Sequence, residues 1–185
     1  MPIRDILQLG HPTLRAVAKP VADPTSAEIA NLVMDLTDTV AHWRDTTGYG
    51  RAIAAPQIGE LQRVILLRLP GRPVWPLINP SIIGHSPQKM VVWDACLSFL
   101  SIFMQVERYE WITVRYQDLA GHWHETHAGP EDDLAELLQH EIDHLDGILS
   151  LDRMVDVKSL CSREEFERQH KAHSPYGRGG KMVNE

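Results

Sequence analysis

Gln139-His140-Glu141-Ile142-Asp143-His144 sits inside the segment with the clearest helical signature in the chain. Pro130 suits a first helical turn, Glu131, Asp132 and Asp133 suit the positive end of a helix dipole, and Gly147 is a natural terminator. These signals predict a helix over 130–146. Spacing of four places the His140 and His144 rings on one face, one turn apart, so both reach a single ion. Glu141 lies ~100° around the same helix, close enough to take a proton from water without being a ligand. Two ring nitrogens for a cation and a carboxylate for the proton follow the HExxH logic of hydrolytic metalloenzymes. Leu134, Leu137, Leu138, Ile142 and Leu145 leave little room for a wide polar face. The helix is therefore expected to be buried, and its histidines and acids to need partners.

Working outward, residues 1–24 hold four prolines and read as an extended arm. Ile29, Leu32, Val33, Leu36, Val40 and Trp43 recur at helical spacing, and Thr25 or Ser26 can cap them, predicting an amphipathic helix over 25–43. A short apolar stretch covers 52–57 and a buried strand 63–69, ended by Pro70-Gly71. Residues 74–83 are extended, with interruptions at Pro76 and Pro80, and 90–93 form a short strand leading into Asp94-Ala95-Cys96. Residues 103–116 supply one or two strands, 118–121 a turn, and 122–127 a returning strand, so a hairpin is expected there. Ser162 and Glu165 predict a capping box for a helix over 163–172. Helices mixed with antiparallel strands argue for an α+β fold.

The chain of 185 residues suits one domain, read as 1–173 with a loose tail over 174–185. With 43% hydrophobic residues it can bury a core, and 18 basic against 25 acidic residues, net −7, offer no basic stripe for DNA. The N-terminus lacks a signal-peptide pattern and no apolar run approaches the ~20 residues of a membrane span, so a soluble, cytoplasmic protein is expected. The two cysteines, Cys96 and Cys161, have no CxxC spacing and read as free thiols, Cys161 as a bystander. His122, His124 and His127 read as alternate, mainly solvent-facing strand residues rather than a second metal site.

Two helical histidines leave a third ligand to find. Downstream stand Asp152, Glu164, Glu165 and His170; upstream stands Cys96, just after an apolar strand, and thiolate is a strong ligand for a divalent first-row metal.

Three segments in order resemble the peptide deformylase family. Gln139-His140-Glu141-Ile142-Asp143-His144-Leu145-Asp146-Gly147 matches its HExDHLxG motif, Asp94-Ala95-Cys96-Leu97-Ser98 is similar to its EGCLS motif, and Gly50-Arg51-Ala52-Ile53-Ala54-Ala55-Pro56-Gln57-Ile58-Gly59 is similar to its GxGLAAPQIG motif. The likeness covers roughly 3–155. It implies antiparallel or mixed sheets around a central metal-binding helix, and hydrolysis of the N-formyl group of formyl-methionyl peptides in protein biosynthesis. It implies Cys96, His140 and His144 as ligands of one divalent metal, iron(II) in the cell and zinc or nickel in purified protein. Glu141 is implied as general base, and Gln57 and the Leu97 N–H as oxyanion donors. Gly50, Arg51, Ala52, Ile53, Asp94, Ala95 and Arg108 are implied around the substrate, a formylated peptide or nascent chain near the ribosome. Val92, Ile102, Glu136 and Leu137 are candidates for the side-chain pocket. Oligomeric state stays open.

The pattern departs at three places. Ala52 replaces a glycine, Asp94 and Ala95 replace Glu and Gly, and Phe99-Leu100-Ser101-Ile102 lacks the family's VPG turn. Asp94 is expected to pair with Arg108, with a shift of ~1.5 Å to cover the missing methylene. These changes leave the proposed ligands, Glu141 and Gln57 intact, so substrate preference is where the chain is expected to diverge. A hydrolase for another N-formyl or small amide compound, a non-catalytic relative and an ordinary zinc protease are the competing readings, the last making the Cys96 segment a coincidence.

Overall fold

A computed structural model describes residues 3–129 and 133–171; the expected tail over 174–185 lies outside them. The first amphipathic segment forms α1, Ala27–Thr47. The Ser26 hydroxyl accepts from the Ile29 N–H, and the helix runs past Trp43 because Gly48, at φ +78°, is the residue that takes the left-handed turn. The histidine-bearing segment forms α2, Leu134–Leu145, shorter than 130–146. Asp133 stands at its N-cap with its carboxylate turned to Arg51, and 130–132 lie outside the described residues. Gly147, at φ +70°, follows the end of α2. A Cβ there would stand 2.6 Å from the Arg15 carbonyl oxygen, so only glycine lets the N-terminal arm cross at this point.

Among the described residues the chain forms eight strands: β1 Ala52–Ala54, β2 Val64–Leu67, β3 Trp75–His85, β4 Lys89–Asp94, β5 Ile102–Tyr109, β6 Ile112–Gln117, β7 Trp123–Ala128 and β8 Cys161–Ser162; the first seven fall in the apolar and extended segments read from the sequence, and β8 falls where no strand was expected. The run over 103–116 is thus two strands, and a register shift between Ile78 and Ser81 carries β3 past Pro80. β6 and β7 form the expected hairpin around Asp118. Neighbouring strands pair antiparallel, in a five-stranded sheet of order β1-β2-β3-β6-β7 and a three-stranded sheet of order β4-β5-β8. α3, Arg163–Gln169, is capped by Ser162 and buries Phe166 face to face on Phe103.

The core explains where the site lies. Leu134, Leu137, Leu138, Ile142 and Leu145 of α2 pack against Ala54, Ile65, Leu67, Ile112 and Val114 of the larger sheet. All twelve residues of α2 are buried, and the helix also touches β5. A separate cluster of Leu14, Cys96, Phe99, Met104, Val106 and Leu149 forms on the β5 side. The polar face of α2 is thereby enclosed between two apolar clusters. No helix among the described residues is long and apolar enough to cross a membrane.

Candidate metal centre

α2 contributes two rings and the turn after β4 contributes a sulfur. One ligand atom from each of Cys96, His140 and His144 lies within 4.8 Å of the others, the one such group found among the described residues. The Cys96 Sγ is 3.1 Å from the His144 Nε2. Both cysteines are free thiols, Cys96 buried and Cys161 half-buried. The alternative third ligands are elsewhere: Asp152 pairs with Arg15, Glu165 with Arg168, and His170 stacks on Trp93. His122 and His124 both face Asp118 on the hairpin.

Asp94 organises the site from behind. The His140 Nδ1 lies 3.0 and 3.1 Å from its two oxygens, which leaves the Nε2 of that ring to face a cation. The Ser150 hydroxyl donates to the same carboxylate at 3.1 Å and lies 3.2 Å from the His140 Nδ1. Arg108 donates to Asp94 at 2.9 Å and also pairs with Asp143, which is held in turn by Arg153 at 2.8 Å. Burial acts to raise the Asp94 carboxyl, but the His140 and Arg108 charges overcome it and hold the group well below the usual carboxylate range.

The same charges sort the two rings. Burial acts against protonating His140, yet Asp94 and Cys96 raise it well above its ordinary range. Burial, reinforced by the His140 charge, holds His144 well below its own. The thiol and ring donors suit a divalent first-row ion, whose binding requires both rings in their neutral form. The donor set fits a metal.

Glu141 is buried beside the ligands, and its Oε2 has no hydrogen-bond partner among the described residues. Burial pushes its carboxyl up to about 7, with the His140 charge opposing. Gln57 is fixed by its own strand end. Its Oε1 accepts from the Ala54 N–H at 2.9 Å, so its Nε2 points to the Cys96 Sγ at 3.4 Å and the Ser98 hydroxyl at 3.3 Å.

A cleft opens over these groups, walled by Gly50, Arg51, Ala52, Gln57, Asp94, Ala95, Leu97, Glu136, Leu137 and Glu141 among others. Two residues implied around the substrate lie off its walls. Ile53 is fully buried in the core under α1, and Arg108 is enclosed behind Asp94. Val92 and Ile102 pack instead with the β5-side cluster. Sequence reasoning overlooked Ser150, five positions beyond Leu145, and the contact of Arg51 with Asp133 and Glu136. The available signal was polarity at positions flanked by apolar neighbours.

Residues 3–160 match the sequence model of the family described as Polypeptide deformylase. "Peptide deformylase 2" of Nostoc sp. is 35% identical, covering 88% of this chain and 92% of the relative. "Peptide deformylase" of Thermotoga neapolitana is 36% identical over 85% and 90%. Among solved structures, the peptide deformylase of Thermotoga maritima superposes with a TM-score of 0.76 at 33% identity, over 84% of this chain and 100% of that one. A peptide deformylase from Synechococcus elongatus in complex with actinonin gives 0.76 at 31% identity, over 86% and 82%.

Proposed function

The chain belongs to the polypeptide deformylase family, and from that premise we propose that it hydrolyses the N-formyl group of formyl-methionyl peptides, releasing formate and a free amine. The observation that carries this reading is the convergence of the Cys96, His140 and His144 donor atoms within 4.8 Å, with buried Glu141 beside them. Cys96, His140 and His144 would hold one divalent metal, iron(II) in the cell, with zinc or nickel as substitutes that the same donors accept. When bound, the ion supplies Lewis acidity, lowering the pKa of water and polarising the formyl carbonyl.

The remaining work falls to the chain's own groups. The Glu141 carboxylate takes the proton of the attacking water and delivers it to the leaving amine nitrogen. The Gln57 Nε2, aimed by the Ala54 contact, and the Leu97 N–H stabilise negative charge on the formyl oxygen. Asp94, with Ser150 and Arg108, keeps the His140 ring in its ligating orientation. Gly50 and its neighbours line the peptide, which adds as an extended strand. A free, buried thiol as ligand suits a reducing compartment, which supports action in the cytoplasm on chains leaving the ribosome.

The test is anaerobic assay of iron(II)-loaded protein on formyl-Met-Ala, beside a Glu141→Ala variant. The reading expects formate release by the native protein and metal binding without turnover by the variant. Unchanged turnover in the variant would overturn it.

A further inference from the structure

Two residues of the cleft wall belong to a part of the core that α2 does not supply. Tyr49 is buried in the apolar cluster of α1, Phe103 and Phe166, and Leu100 packs against that cluster. β8 and α3 reach both of them, and these two elements begin where the match to the family's sequence model, 3–160, ends. On one side, β8 pairs with the start of β5, and the Arg163 N–H donates to the Ser101 carbonyl at 2.9 Å, next to Leu100. Residues 96–102 contain no proline to fix their backbone, so β8 and α3 hold this turn from outside. On the other side, the Tyr49 hydroxyl donates to the Glu167 Oε1 at 2.9 Å, and the Arg163 guanidinium lies 5.4 Å from the centre of the Tyr49 ring. Phe166, stacked on Phe103 at 3.9 Å, anchors the helix between the two contacts.

The path of the substrate gives this brace a role. Ala54 and Gln57 stand at the metal donors, through the Ala54 N–H and the Cys96 sulfur. An extended peptide with its formyl group there leaves the metal past Ala52 and Gly50, at ~3.3 Å per residue, so the residues after its second come level with Tyr49. Burial, with the Glu167 carboxylate beside it, raises the Tyr49 hydroxyl above its ordinary range, so it stays a donor. The Glu167 carboxylate is itself steadied by the Arg163 Nε at 3.5 Å and the Lys171 Nζ at 3.6 Å. We propose that Glu167 is a positioning residue for the substrate: through the Tyr49 hydroxyl it fixes the outer wall of the cleft, against which the peptide beyond its second residue binds. This rests on the deformylation reading and says which part of the peptide α3 serves. The formylated methionine and the bond broken stay with α2, Gln57 and the metal donors, so the effect belongs in KM for longer peptides and not in kcat.

Two peptides test it on iron(II)-loaded protein: formyl-Met-Ala and formyl-Met-Ala-Ser-Ala. Glu167→Ala is expected to raise KM for the longer peptide about three- to tenfold, with kcat on both peptides and KM for the shorter one close to native. Tyr49→Phe, which keeps the ring against Phe103 and loses only the hydroxyl, is expected to raise KM for the longer peptide to the same extent. Glu167→Gln, whose side-chain oxygen still accepts from Tyr49, is expected to restore the native KM. The Tyr49→Phe/Glu167→Ala double variant is expected to be no worse than either single variant, because both remove one bond. A KM for the longer peptide unmoved by Glu167→Ala, equal losses on both peptides, or single effects that add in the double variant would overturn the positioning role while leaving deformylation standing. Formate released from neither peptide by the native protein would sink the deformylation reading, and the positioning role with it.

Discussion

Gln57 shows how one side chain is prepared before any substrate arrives. The Ala54 N–H occupies its carbonyl oxygen, so its amide nitrogen faces the sulfur of Cys96. Gln57→Leu removes that donor, and its contact with the Cys96 sulfur, while leaving Cys96, His140 and His144 themselves in place. It should lower kcat by roughly a hundredfold or more with metal content, read by elemental analysis, unchanged. Ser150 is a different case, because it reaches the metal only through Asp94 and His140. Ser150→Ala should weaken metal retention about tenfold in competition with a chelator. At this scale His140, Glu141 and His144 were legible as a group because their spacing is local: a turn of helix decides that the two rings share a face. Cys96, far along the chain from them, was one candidate among several and was singled out only by the resemblance. Ser150 and the Arg51–Glu136 contact were not legible, since each meets a partner far along the chain. Asp94 was expected to reach Arg108 and does so at 2.9 Å.

At the scale of elements, α2 is held by what surrounds its ends. Asp133 at its start ties to Arg51 beside β1, and Gly147 beyond its end lies under the arm residue Arg15. Gly147→Ala would need a left-handed backbone and would drive a Cβ to 2.6 Å from the Arg15 oxygen. A loss of about 1–3 kcal/mol from backbone strain alone is expected in denaturant unfolding, with more from the clash. The long apolar periodicity of α1 and the continuous apolar run of β2 were legible because burial imposes them directly. Boundaries were less so. Thr47 rather than Trp43 ends α1, and Leu134 opens α2, because capping geometry and the pull of Arg51 on Asp133 decide the terminal turns. The register shift that lets β3 run through Pro80 is a pairing property, invisible without the neighbouring strand.

For the whole molecule, the site closes only when the turn after β4 and the middle of α2 meet between two apolar clusters. A metal bound by the folded chain but not by the unfolded one must then stabilise the fold by mass action, by ~4 kcal/mol at a thousandfold excess over Kd. Chelation should accordingly lower Tm, and restoring iron(II) without oxygen should recover it; an unchanged Tm would place the ion outside the core. The central claim is that Cys96 joins His140 and His144 on a single cation. X-ray absorption at the metal edge of iron(II)-loaded protein tests it most directly. The account predicts one sulfur and two ring nitrogens around the metal, with the sulfur lost in Cys96→Ser. A shell of two nitrogens completed by a carboxylate oxygen, with no sulfur, would contradict it.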